Sequence, residues 1–152
     1  MSWELAIALV IGVAAAIEDI QRRTISNWLP LASLICGLGG HFLEKGWKGL
    51  MLSALGAAGG FSVFLVFYVL GGMGGGDIKL MAGFGALLST QHLVEAAFWT
   101  AISGGLLAAA VMGLSALRRR GGAQQPAPVT IPYAPAIATG VWLALLAGAS
   151  PG

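Results

Sequence analysis

The chain is poor in charge. It has 152 residues, of which 8 are Lys or Arg and 6 are Asp or Glu, so charged residues make up 9%. A soluble domain carries roughly 25% charged residues, which would be about 38 here. A soluble globule with so few would have little polar surface to present to water, so an ordinary cytosolic or secreted domain is excluded. Disorder is excluded as well, because it needs low hydrophobicity and high net charge. Cysteine is also nearly absent. Cys36 stands alone, which rules out an intrachain disulfide and any metal site built on a cysteine pair. It reads as a small buried hydrophobe. The sequence pI of about 9.0 reflects a net charge of only +2 and does not point to nucleic acid. What is present is apolar: 57% hydrophobic residues and a mean hydropathy of +0.85. The composition is that of an integral membrane protein, all-α, in one domain over residues 1–152.

The spacing of the charges divides the chain. Charge-free stretches run over 5–17, 24–43, 49–76, 80–94, 96–117 and 121–152. A spanning helix needs about 20 mostly apolar residues. These windows predict six transmembrane helices near 2–19, 28–43, 49–70, 77–91, 94–117 and 133–149. The first resembles a secretory signal at Ala14-Ala15-Ala16, but its start, Met1-Ser2-Trp3-Glu4-Leu5, lacks the basic n-region, so cleavage is not expected. Basic residues accumulate on the cytoplasmic side. Loops 1, 3 and 5 hold Arg22, Arg23, Lys79 and Arg118 to Arg120, against Lys45 and Lys48 in the other loops. Those three loops are therefore expected in the cytoplasm and both termini outside. Trp3, Trp28, Trp47 and Trp99 fall near predicted helix ends, as interfacial tryptophans do; Trp142 does not. The stretch Gly121 to Pro132, with three prolines, reads as a loop.

The 24 glycines mostly suit close helix packing. Five of them within Gly71 to Gly76, directly before Asp77, need another explanation. Ionisable residues at membrane depth mark function by default. Glu4, Glu44 and Glu95 have interfacial explanations. Glu18 and Asp19 end the first helix, against its dipole, with Arg22 and Arg23 within pairing distance. Pairing and function are both open for Asp19. Asp77 has an alternative as a helix N-cap. The topology nevertheless puts Asp19 and Asp77 on one face of the membrane. Two carboxylates sharing one water cannot both ionise readily. One acts as general base on that water and the other as general acid. Such a dyad requires no metal and no cofactor.

These residues resemble a known family. Gly74-Gly75-Gly76-Asp77-Ile78-Lys79 matches the GxGD-x-K signature of the type IV prepilin peptidases, polytopic aspartyl proteases of the cytoplasmic (inner) membrane. Asp19 with Arg22, Arg23, Ile25 and Asn27 is similar to the family's first-aspartate loop. Ile131-Pro132-Tyr133-Ala134-Pro135 resembles the element that opens its last helix. The resemblance implies that Asp19 and Asp77 are catalytic and that Gly74, Gly75 and Gly76 shape the active-site loop. It gives Lys79 a role on the second acid or the substrate, beside its reading as a topology anchor. Arg22, Arg23, Asn27, Pro132 and Tyr133 are the candidates for substrate contact. The substrate implied is a prepilin or pseudopilin precursor in the lipid bilayer, cut at the cytoplasmic boundary. With one cysteine the chain resembles the short, peptidase-only Flp-type form, so methylation is not expected. Two other classes fit the bare residues: a small proton-coupled transporter and a non-catalytic pilus-assembly protein.

Overall fold

The computed structural model describes residues 2–69, 73–88, 90, 92–120 and 132–148, with the side chains of 115–120 excepted. Gly71, Gly72 and residues 121–131 of the loop expected over Gly121 to Pro132 lie outside the described residues. The described residues form five helices, α1 Trp3–Arg22, α2 Trp28–Val69, α3 Gly75–Leu88, α4 Leu93–Arg120 and α5 Ala134–Gly148. The fold class is all-α, as expected.

Helix α1 starts at Ser2, whose hydroxyl accepts the Leu5 N–H at 3.3 Å, the usual service of a serine N-cap. It stops at Arg23, which adopts a left-handed conformation (φ 56°) and returns its N–H to the Asp19 carbonyl. Its buried stripe is Leu5, Ala8, Ile11, Gly12, Ala15 and Asp19. These positions recur at three- and four-residue steps, one face of a helix. Asp19 is the last member of that stripe and is aimed inward with it.

The sequence predicts separate helices over 28–43 and 49–70. The structure joins them into α2, 42 residues long and interrupted only at Gly46. A straight helix of that length would run about 63 Å, twice the hydrocarbon thickness of a bilayer. Gly46 prevents this. Its φ of 57° and ψ of −141° are open to glycine and costly for a residue with a side chain. One residue suffices for the elbow because its neighbours Glu44, Lys45 and Lys48 are good helix formers. Gly49 then lies against the His41 carbonyl, closing the elbow.

The two arms of α2 clasp α3. On the first arm Pro30 and Ser33 meet Gly83, and Gly37 meets Ala86 and Leu87; on the second, Gly60 meets Met81 and Gly56 meets Gly85. The order of these contacts makes the first arm parallel to α3 and the second antiparallel. Ser53 donates to the Ala86 carbonyl at 2.8 Å, and the His41 ring bonds the Leu87 carbonyl at 2.9 Å. Leu80, Met81, Phe84 and Leu87 are fully buried, so α3 is enclosed on most sides. Helix α5 lies between α1 and α4. Its Gly140 sits against Thr100 of α4, and its Trp142 covers Gly12 of α1. Trp142 donates to the Ala8 carbonyl at 2.9 Å, which explains why this tryptophan departs from the interfacial pattern. Cys36 is partly buried and packed against the core.

The outside of the bundle is as apolar as the inside. Val10, Leu43, Val69 and Val94 are 71%, 85%, 76% and 76% exposed. Trp28–Val69 and Leu93–Leu114 are each long and apolar enough to cross a membrane. Soluble monomers rarely carry apolar surface on this scale; hydrocarbon solvates it without penalty.

Candidate active site

Asp19 and Asp77 come from different helices, α1 and α3, and are each 7% exposed. They line one cavity of about 320 Å³, together with Arg23, Thr24, Ile25, Asn27, Gly74, Gly75, Gly76 and Lys79. Burial of a carboxylate is expensive unless its oxygens are hydrogen-bonded. Both are anchored by backbone. Asp19 Oδ2 accepts the Ala134 N–H at 3.0 Å. Ala134 is the first residue of α5, so this N–H is one that no intrahelical carbonyl can take. Asp19 thus sits at the positive end of the α5 dipole, which favours its charge although the end of α1 does not.

Asp77 is the third residue of α3. Its Oδ2 accepts the Gly74 N–H at 3.1 Å, and its own N–H reaches the Gly74 carbonyl at 3.2 Å. The expected N-cap alternative is therefore displaced: Gly74 stands at the cap, Asp77 reaches back to its N–H as the third helical residue of a capping box does, and a backbone turn bond closes the same four residues. This holds the carboxylate beside the glycine loop. Gly76 faces Ile25, and a Cβ there would stand 3.3 Å from the Ile25 Cβ. The lack of side chains lets the start of α3 lie close to the 23–27 turn.

That turn is held from both ends. Glu18 accepts the Ser26 N–H at 2.9 Å and the Ser26 hydroxyl at 3.0 Å. Sequence reasoning offers Arg22 as the partner of Glu18; the structure uses Ser26. Lys79 donates to Asn27 Oδ1 at 3.0 Å, so the ammonium is placed on the turn at the cavity rim. Arg22 and Arg23 are both exposed, and of the two only Arg23 lines the cavity. Pro132 and Tyr133 are placed elsewhere. Tyr133 lines a separate apolar cavity of about 330 Å³ with Phe64, Met73 and Thr100, and Pro132 precedes it. Both immediately precede Ala134, whose N–H reaches Asp19.

Ala134, Ser26 and Thr24 are the site residues that sequence reasoning misses. A signal for Ala134 exists. Pro135 at the start of a helix advertises an N-terminus, and an N-terminus has unpaired N–H groups to offer an acid.

Beyond the rim, Asn27 and Lys79 also border a groove of about 360 Å³ whose other walls are Pro30, Leu31, Leu34, Phe61, Ala82 and Gly83. The polar cavity with the two carboxylates and an apolar groove between α3 and the arms of α2 thus share Asn27 and Lys79 in their walls.

Residues 6–109 match the model of the type IV leader peptidase family. Two curated relatives carry the name prepilin leader peptidase/N-methyltransferase. That of Bacillus subtilis is 43% identical over 148 residues, covering 91% of this chain and 53% of the relative. That of Aeromonas hydrophila is 32% identical over 145 residues, covering 91% of this chain and 47% of the relative. The chain spans about half the length of the curated relatives it matches. No solved structure gives a significant match. On the match over residues 6–109, which include both aspartates, the chain belongs to the type IV leader peptidase family.

Proposed function

We propose that this chain is a membrane-embedded aspartic endopeptidase that removes the leader peptide of type IV prepilins or pseudopilins, of the Flp type, at the cytoplasmic boundary of the inner membrane. The observation that carries the reading is the pair of buried carboxylates, Asp19 and Asp77, from separate helices lining one cavity. Each has its Oδ2 tied to a backbone N–H, and in this reading the other oxygen of each meets a shared water. One carboxylate takes a proton from that water as it attacks the scissile carbonyl; the other, protonated, donates to the leaving amine.

The membrane arrangement follows. Helix α1, the two arms of α2, α3, α4 and α5 make six crossings. Loops 1, 3 and 5 and the active site face the cytoplasm, and both termini lie outside. Residues 1–152 act as one peptidase unit. Methylation is not included in the reading. The groove past Asn27 and Lys79 suits the substrate, whose apolar helix would lie in the bilayer while its basic leader reaches the cavity.

Co-expression with a candidate prepilin tests this. Wild type should shorten the precursor. Asp19→Asn and Asp77→Asn should each lower processing by roughly 100-fold or more, the range for loss of an acid–base group, with unchanged membrane content. Processing at the wild-type rate by either variant rules the dyad out.

A further inference from the structure

At the other end of α1 a second cluster of titratable groups has no part in the dyad. Glu4 lies 15 residues before Asp19, about 22 Å along the helix axis. It meets His41 and Glu44, from the elbow of α2, and one potential ligand atom from each lies within 4.8 Å of the others.

The histidine is what distinguishes this cluster from an ordinary group of surface acids. His41 is 6% exposed, and its Nε2 is 2.9 Å from the Leu87 carbonyl. A carbonyl only accepts, so Nε2 carries the hydrogen. Nδ1 is then the side turned to the acids, 4.0 Å from Glu44 Oε2. The other Glu44 oxygen, Oε1, accepts the Trp3 indole N–H at 2.6 Å, and the Trp3 ring packs edge-on against His41 at 5.3 Å. The tautomer and the orientations of two of the three groups are thus set by contacts outside the cluster. An imidazole lone pair facing two carboxylates is unfavourable, and it is relieved either by a proton on Nδ1, which makes the ion pair with Glu44, or by a metal ion between the three groups. The 4.0 Å separation is too long for an N–H···O hydrogen bond. It does fit two ligands of one ion: at about 2.1 Å each from the metal they stand roughly 3.4 Å apart in a tetrahedron and at most about 4.2 Å apart. A metal-bound histidine that gives its other N–H to a backbone carbonyl is the usual supporting arrangement.

We propose that Glu4, His41 and Glu44 bind one divalent transition-metal ion of the zinc class. The donor set of one imidazole and two carboxylates suits Zn²⁺ and leaves a position for water. Bound there, the ion clips the start of α1 to the elbow of α2. Through His41 and Leu87 it also bears on the end of α3 opposite Asp77.

The test uses the full chain, purified in detergent without an affinity tag and stripped with a chelator. Zn²⁺ is titrated by calorimetry and Co²⁺ by visible absorption. Wild type should take up one equivalent, with the intense Co²⁺ bands of a four-coordinate site, and its melting temperature should rise by roughly 5 °C at saturating Zn²⁺. Glu4→Gln and Glu44→Gln should each weaken binding at least tenfold, and the double replacement should abolish both the bands and the shift. Neither glutamate is buried, so these variants should fold, which circular dichroism checks. The Asp19→Asn/Asp77→Asn variant should bind as wild type does. Failure of wild type to bind micromolar Zn²⁺, or undiminished binding by the double glutamine variant, overturns the proposal. Loss of binding in the double asparagine variant instead assigns the ion to the dyad and overturns it equally.

Discussion

Gly83→Ala measures how tightly the helix that carries Asp77 is clasped. A Cβ built on Gly83 falls on the Ser33 hydroxyl and stands 2.6 Å from the Pro30 carbonyl oxygen and 3.3 Å from the Pro30 Cα. Ser33 already spends its hydroxyl on that same carbonyl, at 3.1 Å. Two of the obstructing atoms are backbone, so no rotamer change relieves them; the first arm of α2 and α3 must separate. Overpacking of this kind costs about 1–3 kcal/mol. Against it, replacing a glycine inside a helix with alanine gains up to about 1 kcal/mol. Gly39 and Gly113 give that gain alone, because a Cβ at either meets nothing within 4 Å. The expected difference between Gly83→Ala and Gly39→Ala is therefore about 1–3 kcal/mol, the overpacking cost alone, because the helix-propensity gain is common to both. Equilibrium unfolding of the detergent-solubilised protein, followed by circular dichroism against a denaturing detergent, reads it. Prepilin processing should fall in the Gly83 variant and not in the Gly39 variant, since parting the arm from α3 shifts Asp77 relative to the 23–27 turn. Equal stabilities for the two variants would show that the arms and α3 do not meet backbone to backbone, and the packing argument would fail.

Three further outcomes are expected. Ala134→Pro removes the N–H that holds Asp19 Oδ2 at a helix position where proline is otherwise well accepted. A hydrogen bond to a charged group is worth about 1.5–3 kcal/mol, so processing should drop roughly ten- to hundredfold, while Ala134→Gly, which keeps the N–H, should retain most of it. Lys79→Met breaks only an exposed bond to Asn27; stability should change by less than about 1 kcal/mol, and any large loss of cleavage then belongs to the substrate and not to folding. Trp142→Phe loses the bond to the Ala8 carbonyl but leaves a ring over Gly12, costing about 1 kcal/mol, whereas Trp142→Ala also opens a cavity between α1 and α5 and should cost about 3–5 kcal/mol in the same unfolding assay.

Much of this protein is readable in one dimension. Scarcity of charge excludes a soluble fold, since a surface needs polar groups, and the gaps between charges mark the helices. Asp19 is legible as a candidate from its place at a helix end among few charges. Its inward orientation is not, because α1 is apolar on its exposed face too, at Val10, Val13 and Ile17, and packing alone selects the stripe Leu5, Ala8, Ile11, Gly12 and Ala15. The glycine run before Asp77 announces a close backbone approach. Other features are decided in three dimensions. Residues 44–48 carry a loop's charges, yet the helix passes through them and only Gly46 turns, because good helix formers resist breaking where one glycine can supply the elbow. Glu18 takes Ser26, eight residues on, in place of Arg22 one helical turn away, and Asp19 Oδ2 is bonded by Ala134, 115 residues away. Residue types and spacing along this chain specify where its helices run. Which N–H finally satisfies a buried carboxylate depends on the helix packed beside it, and that is set only when α1, α3 and α5 meet.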